Sequence, residues 1–312
     1  MITSRPGAAA GLAVGWLADR WLGDPARLHP VAGFGAVAAR VEKWLYADSR
    51  LRGVAHAALL VGGVAALGIL LDRGTPQPMA RCAATAATTW VVLGGRSLER
   101  EATEVAHLLT VGDLPGARER VSGLVGRHTA TLDADGIIRA VVESVAENTS
   151  DAVVAPLLWG ALAGIPGLLG YRAVNTLDAM VGHRTPRHTA YGWASARLDD
   201  VVNLPAARFT GLLVLLVAPR QARATAQAWA RDAAGHPSPN AGVVEAAFAG
   251  ALGIRLGGTN HYPGGRTEHR AVLGDGRAPT AADISRATRL SRRVGAAAAL
   301  TTTALAMSLR RA

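Results

Sequence analysis

The sequence predicts an all-α polytopic membrane protein with about four to six membrane segments, at least one of them broken or re-entrant, and with cytoplasmic helical loops. Three observations carry that expectation. Half of the 312 residues are apolar yet only 4% are aromatic, a composition that favours lipid-facing helices over a soluble core. Residues 54–71, 79–95, 152–170 and 294–309 are apolar runs, each approaching the ~20 residues that cross the hydrocarbon. The net charge of +10 comes almost wholly from arginine, with Lys43 the only lysine, and it gathers between those runs, as a positive-inside bias requires. A single lysine in that position excludes a P-loop. Scattered bases without an aromatic platform argue against nucleic acid as a partner, leaving membrane lipid as the expected surroundings.

Taken in order, residues 7–18 are a short apolar run closed by Asp19 and Arg20. No small-residue cleavage site follows, so the run reads as a membrane segment. Residues 22–31 contain Gly-Asp-Pro and His-Pro, which enforce turns. Asp24, Arg27 and His29 there are either a charged site element or a connection in which Asp24 caps a turn. Residues 33–46 set Val37, Val41, Trp44 and Leu45 against Arg40 and Lys43, the pattern of an amphipathic helix with Trp44 and Tyr46 at the interface. Residues 72–78 are a tight connection between two spans. Residues 97–111 and 114–126 have the pattern of two soluble helices, ending in Arg127-His128-Thr129. Residues 204–219 are short and interrupted by Arg208, and residues 220–293 are soluble in character with eleven arginines. Cys82, alone in an apolar run, is expected to pack as a small hydrophobe. No linker divides the chain, so residues 1–312 read as one domain.

The stretch around which this order is arranged runs from 143 to 203. Glu147-Asn148-Thr149-Ser150-Asp151, Asn175-Thr176-Leu177-Asp178 and Asp199-Asp200-Val201-Val202-Asn203 each place a carboxylate and an amide three or four residues apart, which is one face of a helix. Glu143, Glu147 and Asp151 would form an acidic stripe. Carboxylates in so apolar a setting call for a cation, and these donors suit Mg²⁺ and, through it, a polyphosphate. The structural alternative is that Asn175 and Asp178 cap helices and Asp199 pairs with Arg197 or Arg208.

A full crossing by residues 152–170 would split these motifs between the two sides of the membrane. Pro156, Gly160, Gly164, Pro166 and Gly167 offer the way out, since a helix so interrupted can turn back where protein covers its backbone. The motifs are therefore expected to converge. Further on, His236-Pro237-Ser238-Pro239-Asn240 reads as a rigid turn before a small-residue helix at 241–252. Gly257-Gly258 and Gly264-Gly265 either present N–H groups to a phosphate or cap a helix end.

With Gly-Asp-Pro…His-Pro-Val (23–31), Glu-Ser-Val-Ala-Glu-Asn-Thr-Ser-Asp (143–151), Tyr-Arg-Ala-Val-Asn-Thr-Leu-Asp (171–178), Arg-Leu-Asp-Asp (197–200), His-Pro-Ser-Pro-Asn-Ala-Gly (236–242) and Arg-Leu-Gly-Gly-Thr-Asn-His-Tyr (255–262), the chain resembles the CobD/CbiB family from about residue 10 to 265. These are the membrane adenosylcobinamide-phosphate synthases of cobalamin biosynthesis. The resemblance implies a ligase of the cell membrane that joins adenosylcobyric acid to aminopropanol phosphate, or to aminopropanol, with ATP and Mg²⁺. It also suggests other enzymes of the pathway as partners. One departure stands out: Arg127-His128-Thr129 replaces an expected Arg-Asp-Thr, which would pass an aspartate's role to Asp133 or Asp135.

The chemistry assigns roles by residue type and spacing. Glu147, Asn148, Asp151, Asn175, Asp178, Asp199, Asp200 and Asn203 are the candidate metal set. Arg127, Arg172, Arg184 and Arg197, with Asp24, His29, Asn240 and Asn260, are candidates to bind substrate and phosphate. Glu143 or His236 would be the base that takes the ammonium proton. An intramembrane prenyltransferase holding Mg²⁺-diphosphate, or a transporter with broken helices, would use similar residues.

Overall fold

A computed structural model describes residues 7–25, 29–125, 129–183, 185–261 and 267–309. In chain order the helices are α1 (Ala8–Leu22), α2 (Pro30–Leu45), α3 (Arg50–Gly74), α4 (Pro78–Val92), α5 (Gly95–Thr110) and α6 (Leu114–Ser122). Then come α7 (Ala134–Thr149), α8 (Ala155–Leu177), α9 (Trp193–Val217), α10 (Ala222–Asp232), α11 (Ala241–Leu252) and α12 (Ala281–Ser308). Two short strands, β1 (Leu256–His261) and β2 (Thr267–Leu273), pair antiparallel. The protein is thus an all-α membrane protein carrying one small hairpin that the sequence reading did not foresee. Among the described residues, three helical stretches are by length and composition long and apolar enough to cross a bilayer: α3, residues 134–182 and α9.

The chain forms two compact units, neither contiguous in sequence. The first holds residues 1–94, 151–203 and 298–312; the second holds 95–150 and 204–297.

In the first unit, α1 packs against α4 through a glycine seam. A Cβ on Gly7, Gly11 or Gly15 would lie 2.1, 2.7 or 2.6 Å from the carbonyl oxygens of Pro78, Cys82 and Ala86 respectively. Glycine every fourth residue thus lets the two backbones touch, the small-residue packing that membranes favour in place of a hydrophobic driving force. Helix α2 starts earlier than the amphipathic pattern suggested, because Pro30 occupies its first turn and His29 caps it, Nδ1 accepting the Val31 N–H at 3.2 Å. Trp44 is 80% exposed, as an interfacial residue should be. Tyr46 instead lies under the Arg187 guanidinium, 3.9 Å from ring centre to Cζ, and donates to the Arg187 carbonyl. Glu42 binds Arg187 and His188, each at 3.1 Å. Burial works to raise its pKa, yet those two partners hold the carboxyl below the usual range. Within α4, the buried Arg81 that interrupts the apolar run pairs with Asp72 in the last turn of α3 at 3.5 Å.

Helix α8 is where the unit turns on itself. Gly164 has φ 68° and ψ −148°, a conformation open essentially to glycine alone. Pro166 follows it. A Cβ on Gly167 would stand 2.1 Å from the Trp159 carbonyl oxygen, and one on Gly160 would meet the Leu168 side chain at 2.8 Å. Residues eight apart on a straight helix would be separated by roughly 12 Å, so α8 is a broken helical hairpin with antiparallel arms. Gly68 of α3 accepts its tip, where a Cβ would lie 2.7 Å from the Pro166 Cα. The uninterrupted 152–170 span is thereby replaced by the broken segment that its glycines and prolines implied.

In the second unit, α5 and α6 correspond to the two expected soluble helices, Asp113 capping α6 through the Gly116 N–H at 2.9 Å. Asp133 caps α7 in the same way through Gly136 at 2.8 Å. Helix α11 is buried along its whole length and ends at Gly253, whose φ of 65° makes it the glycine C-cap. Gly257 and Gly258 are therefore neither helix caps nor a free phosphate cradle. They lie in β1 beside a register irregularity, and the Gly257 N–H is taken by Glu143 Oε1 at 2.8 Å.

Candidate functional site

The hairpin in α8 decides which acids meet. A five-residue π-helical turn stands at each end of it, Ser150–Val154 on entry and Asp178–Gly182 on exit. Each of these turns carries one of the candidate carboxylates, Asp151 and Asp178. Such turns are rare and concentrate at functional positions. At the second turn the Asp178 carboxylate folds back over Gly182, where a Cβ would collide with its Oδ1. Only glycine leaves room for that carboxylate.

Between these turns a chain of polar contacts runs through the first unit. Tyr171 donates from its hydroxyl to Asn203 Oδ1 at 2.8 Å, and Asn203 Nδ2 donates to Asp199 Oδ2 at 2.9 Å. Asn175 lies near the Asp199 side chain, and Asp178 and Asp200 are the carboxylates close enough to act on it electrostatically. Asp151 bears on both Tyr171 and Arg172, and Asp24 bears on Arg172. Arg172 Nε is buried without a hydrogen bond, beside an apolar cavity of about 170 Å³ whose lining includes Phe34, Leu67 and Leu169.

Six of the predicted residues (Asp151, Arg172, Asn175, Asp178, Asp199 and Asn203) thus belong to one constellation, with Asp24 and Asp200 at its edges. Arg197 reaches Asp200 at 3.5 Å, not Asp199. Arg208 pairs with neither, donating instead to the Pro239 carbonyl and to Asn240 Oδ1, both at 2.9 Å. His29 is committed as the α2 cap. Tyr171 was missed by spacing rules, because its partner is 32 residues away on α9.

The remaining candidates lie in the second unit. Glu143 is buried and holds β1 through the Gly257 N–H, with Arg139 3.9 Å away and itself donating to the Thr259 carbonyl at 3.0 Å. Glu147, one turn on, is exposed, so the acidic stripe does not share one environment. Asn148 turns back to the Ser144 carbonyl at 3.0 Å. His236 is buried, its Nδ1 taking the Ser238 N–H at 3.0 Å, its Nε2 lying 3.2 Å from Arg270 and 3.7 Å from Glu245. Glu245 was not foreseen. Its signal was there, as the one charge in the otherwise apolar α11. Arg127, His128 and Arg184 lie outside the described residues, as does the side chain of Asn260.

Whether this constellation suits Mg²⁺ can be judged from its donors. Among the described residues no three His, Cys, Asp or Glu side chains close around one point. The eight-residue metal set is therefore no self-sufficient cage. Mg²⁺ seldom needs one, since it keeps water and takes one or two carboxylates together with substrate phosphate. Asp178 and Asp200, flanking Asp199, meet that requirement, and the buried Asp199 Oδ1, which has no hydrogen-bond partner, leaves a lone pair open to a proton or cation.

Comparison with known proteins agrees with the motifs. The family described as CobD/Cbib protein matches residues 12–291. Cobalamin biosynthesis protein CobD of Mycobacterium tuberculosis is 52% identical over 94% of both chains. Proteins of the same name from Rhodobacter capsulatus, 46% identical over 85% of both, and from Geobacter metallireducens, 44% identical over 87% of this chain and 88% of that one, are similar along most of their length. No solved structure matches. On the match across residues 12–291 and these identities, the chain belongs to the CobD/CbiB family.

Proposed function

We propose that the protein serves cobalamin biosynthesis as an acid–amine ligase of the cell membrane, with its functional loops cytoplasmic. It joins the free carboxylate of adenosylcobyric acid to (R)-1-amino-2-propanol O-2-phosphate, or to the unphosphorylated amino alcohol, driven by ATP. Family membership supports the pathway. The observation that carries the chemistry is the α8 hairpin, which brings Asp151 beside Tyr171 and Arg172, in the unit where Asp199 stands close to Tyr171 and Asp178.

A carboxylate resists attack by an amine until it is activated. Its oxygen attacks the γ-phosphorus of ATP, the bond to ADP breaks and an acyl phosphate forms. The amine nitrogen then attacks the acyl carbon, phosphate leaves and the ammonium proton passes to a base. Mg²⁺, when bound, neutralises charge on the phosphates being transferred. Asp178 and Asp200 are the residues that would hold it. Arg172 supplies a fixed cation for a phosphate oxygen. Asp199, held by Asn203 through Oδ2 with Oδ1 unbonded, is the group in this unit suited to take the proton.

The test is turnover by the purified, detergent-solubilised protein given adenosylcobyric acid, aminopropanol phosphate, Mg²⁺ and ATP. One aminopropanol phosphate gained by the corrinoid per ADP released supports the ligase; no ADP and no mass change rejects it. A prenyltransferase would consume a prenyl diphosphate without ATP, so product formation that depends on ATP separates the two readings. Transport is separated from catalysis by a flux assay in proteoliposomes.

A further inference from the structure

In the second unit a cleft of about 380 Å³ opens between the end of α9, the turn Pro219–Gln221 and α12. Arg220, Arg286, Arg289 and Arg293 line it, and no Asp or Glu does. Three of these fall at i, i+3 and i+7 of α12, so one helix face carries a column of like charges, an arrangement that destabilises a helix unless an anion joins it. Arg286 is fixed from behind: Nη1 donates to the buried Asp283 and Nη2 to the Leu252 carbonyl at 2.8 Å. Arg220, Arg289 and Arg293 are exposed and, among the described residues, form no ion pair. Their neighbour Arg292 does, 3.9 Å from Glu99. Gln221 immediately precedes α10 and also lines the cleft, so the positive end of that helix adds to the field.

Guanidinium forks converging on a pocket that lacks carboxylates fit one ligand chemistry, the tetrahedral oxyanion of a phosphate. We propose that this cleft, lined by residues of the second unit alone, is a phosphate-binding site, independent of the ligase reading. Val217, where the apolar stretch of α9 stops, forms part of its wall. Basic pockets at such positions take phospholipid headgroups, and a soluble phosphate compound would present the same group.

The experiment uses the full-length protein in neutral detergent. Thermal unfolding is followed against inorganic pyrophosphate, and in parallel the retention of phosphatidylglycerol over phosphatidylcholine is measured by native mass spectrometry. Stabilisation by pyrophosphate identifies a soluble phosphate as the source, and selective retention of phosphatidylglycerol identifies a headgroup. In either case R289Q/R293Q weakens the response about tenfold or more, and R289K/R293K weakens it less. R73Q/R255Q, which removes two exposed arginines elsewhere, leaves it unchanged. R293Q alone, checked as a monodisperse protein, must move in the same direction, so that misfolding of the double variant cannot account for the result. No response to either probe, or an equal loss in R73Q/R255Q, overturns the proposal.

Discussion

The Tyr171 hydroxyl donates to Asn203 Oδ1 at 2.8 Å, and that one bond orients the amide so that Nδ2 faces Asp199. Tyr171→Phe leaves the buried Asn203 oxygen without its donor, a loss worth about 1–3 kcal/mol of stability. Its effect on turnover should exceed its effect on substrate binding, because Asp199 loses its fixed orientation. The variant is expected to lower kcat with little change in KM; a change confined to KM would remove Asp199 from the chemistry.

Alanine at Asp178 or at Asp200 should abolish turnover while the protein still inserts and elutes as the wild type does. Asp199→Asn keeps the shape but cannot accept a proton, and should fall with them. ADP release and corrinoid mass report the result. Near-normal turnover in both alanine variants would sink the metal assignment.

Gly164→Ala forces an alanine into φ 68°, ψ −148°, at a cost of about 1–3 kcal/mol. Its hairpin arms should separate, and activity should fall together with the thermal midpoint. The same change at Gly62, which has open space around it and an ordinary helical conformation, serves as the control and should be tolerated.

Glu143→Gln preserves an oxygen that can accept the Gly257 N–H but removes a base. If Glu143 serves only to hold β1, this variant retains turnover and folding, whereas Glu143→Ala loses about 1–3 kcal/mol by leaving a buried N–H unpaired. Loss of turnover in Glu143→Gln with unchanged stability would return Glu143 to the list of bases.

Acid stability tests Asp283. Burial works to raise its pKa, yet hydrogen bonds from Arg277, the Thr280 N–H and hydroxyl, and Arg286 hold it well below the usual carboxylate range. With the folded value depressed, its contribution is complete above the unfolded pKa of about 4. It is lost only as pH falls on through the lower folded value. Asp283→Asn lacks it at every pH. The variant should be less stable at pH 7 by about 1–3 kcal/mol, moderated by the exposure of Arg277 and Arg286, and the gap should close as acid titrates the wild type. A gap independent of pH would show that packing, not charge, holds this corner.

The sequence carried the hairpin in plain sight, because Gly164 and Pro166 break a helix wherever they stand together. It carried the acid-amide pairs for the same reason, since contacts at i, i+3 or i+4 are local. What it hid is non-local. Tyr171 finds Asn203 only after the chain has doubled back, and β1 forms from Gly-Gly-Thr-Asn-His by pairing with β2, with Glu143 and Arg139 taking the Gly257 N–H and the Thr259 carbonyl. Glu245 hid differently: in a run of small residues one charge reads as a surface position, yet α11 is buried throughout.

The glycine seam of α1 bears on the order in which the protein is made. At 15 residues, or roughly 22 Å, α1 falls short of the ~30 Å hydrocarbon, and the face that Gly7, Gly11 and Gly15 leave bare fits α4. Helix α1 therefore gains this partner only once residues 78–92 have been synthesised. A helix made before α2 and α3 thus settles no earlier than α4.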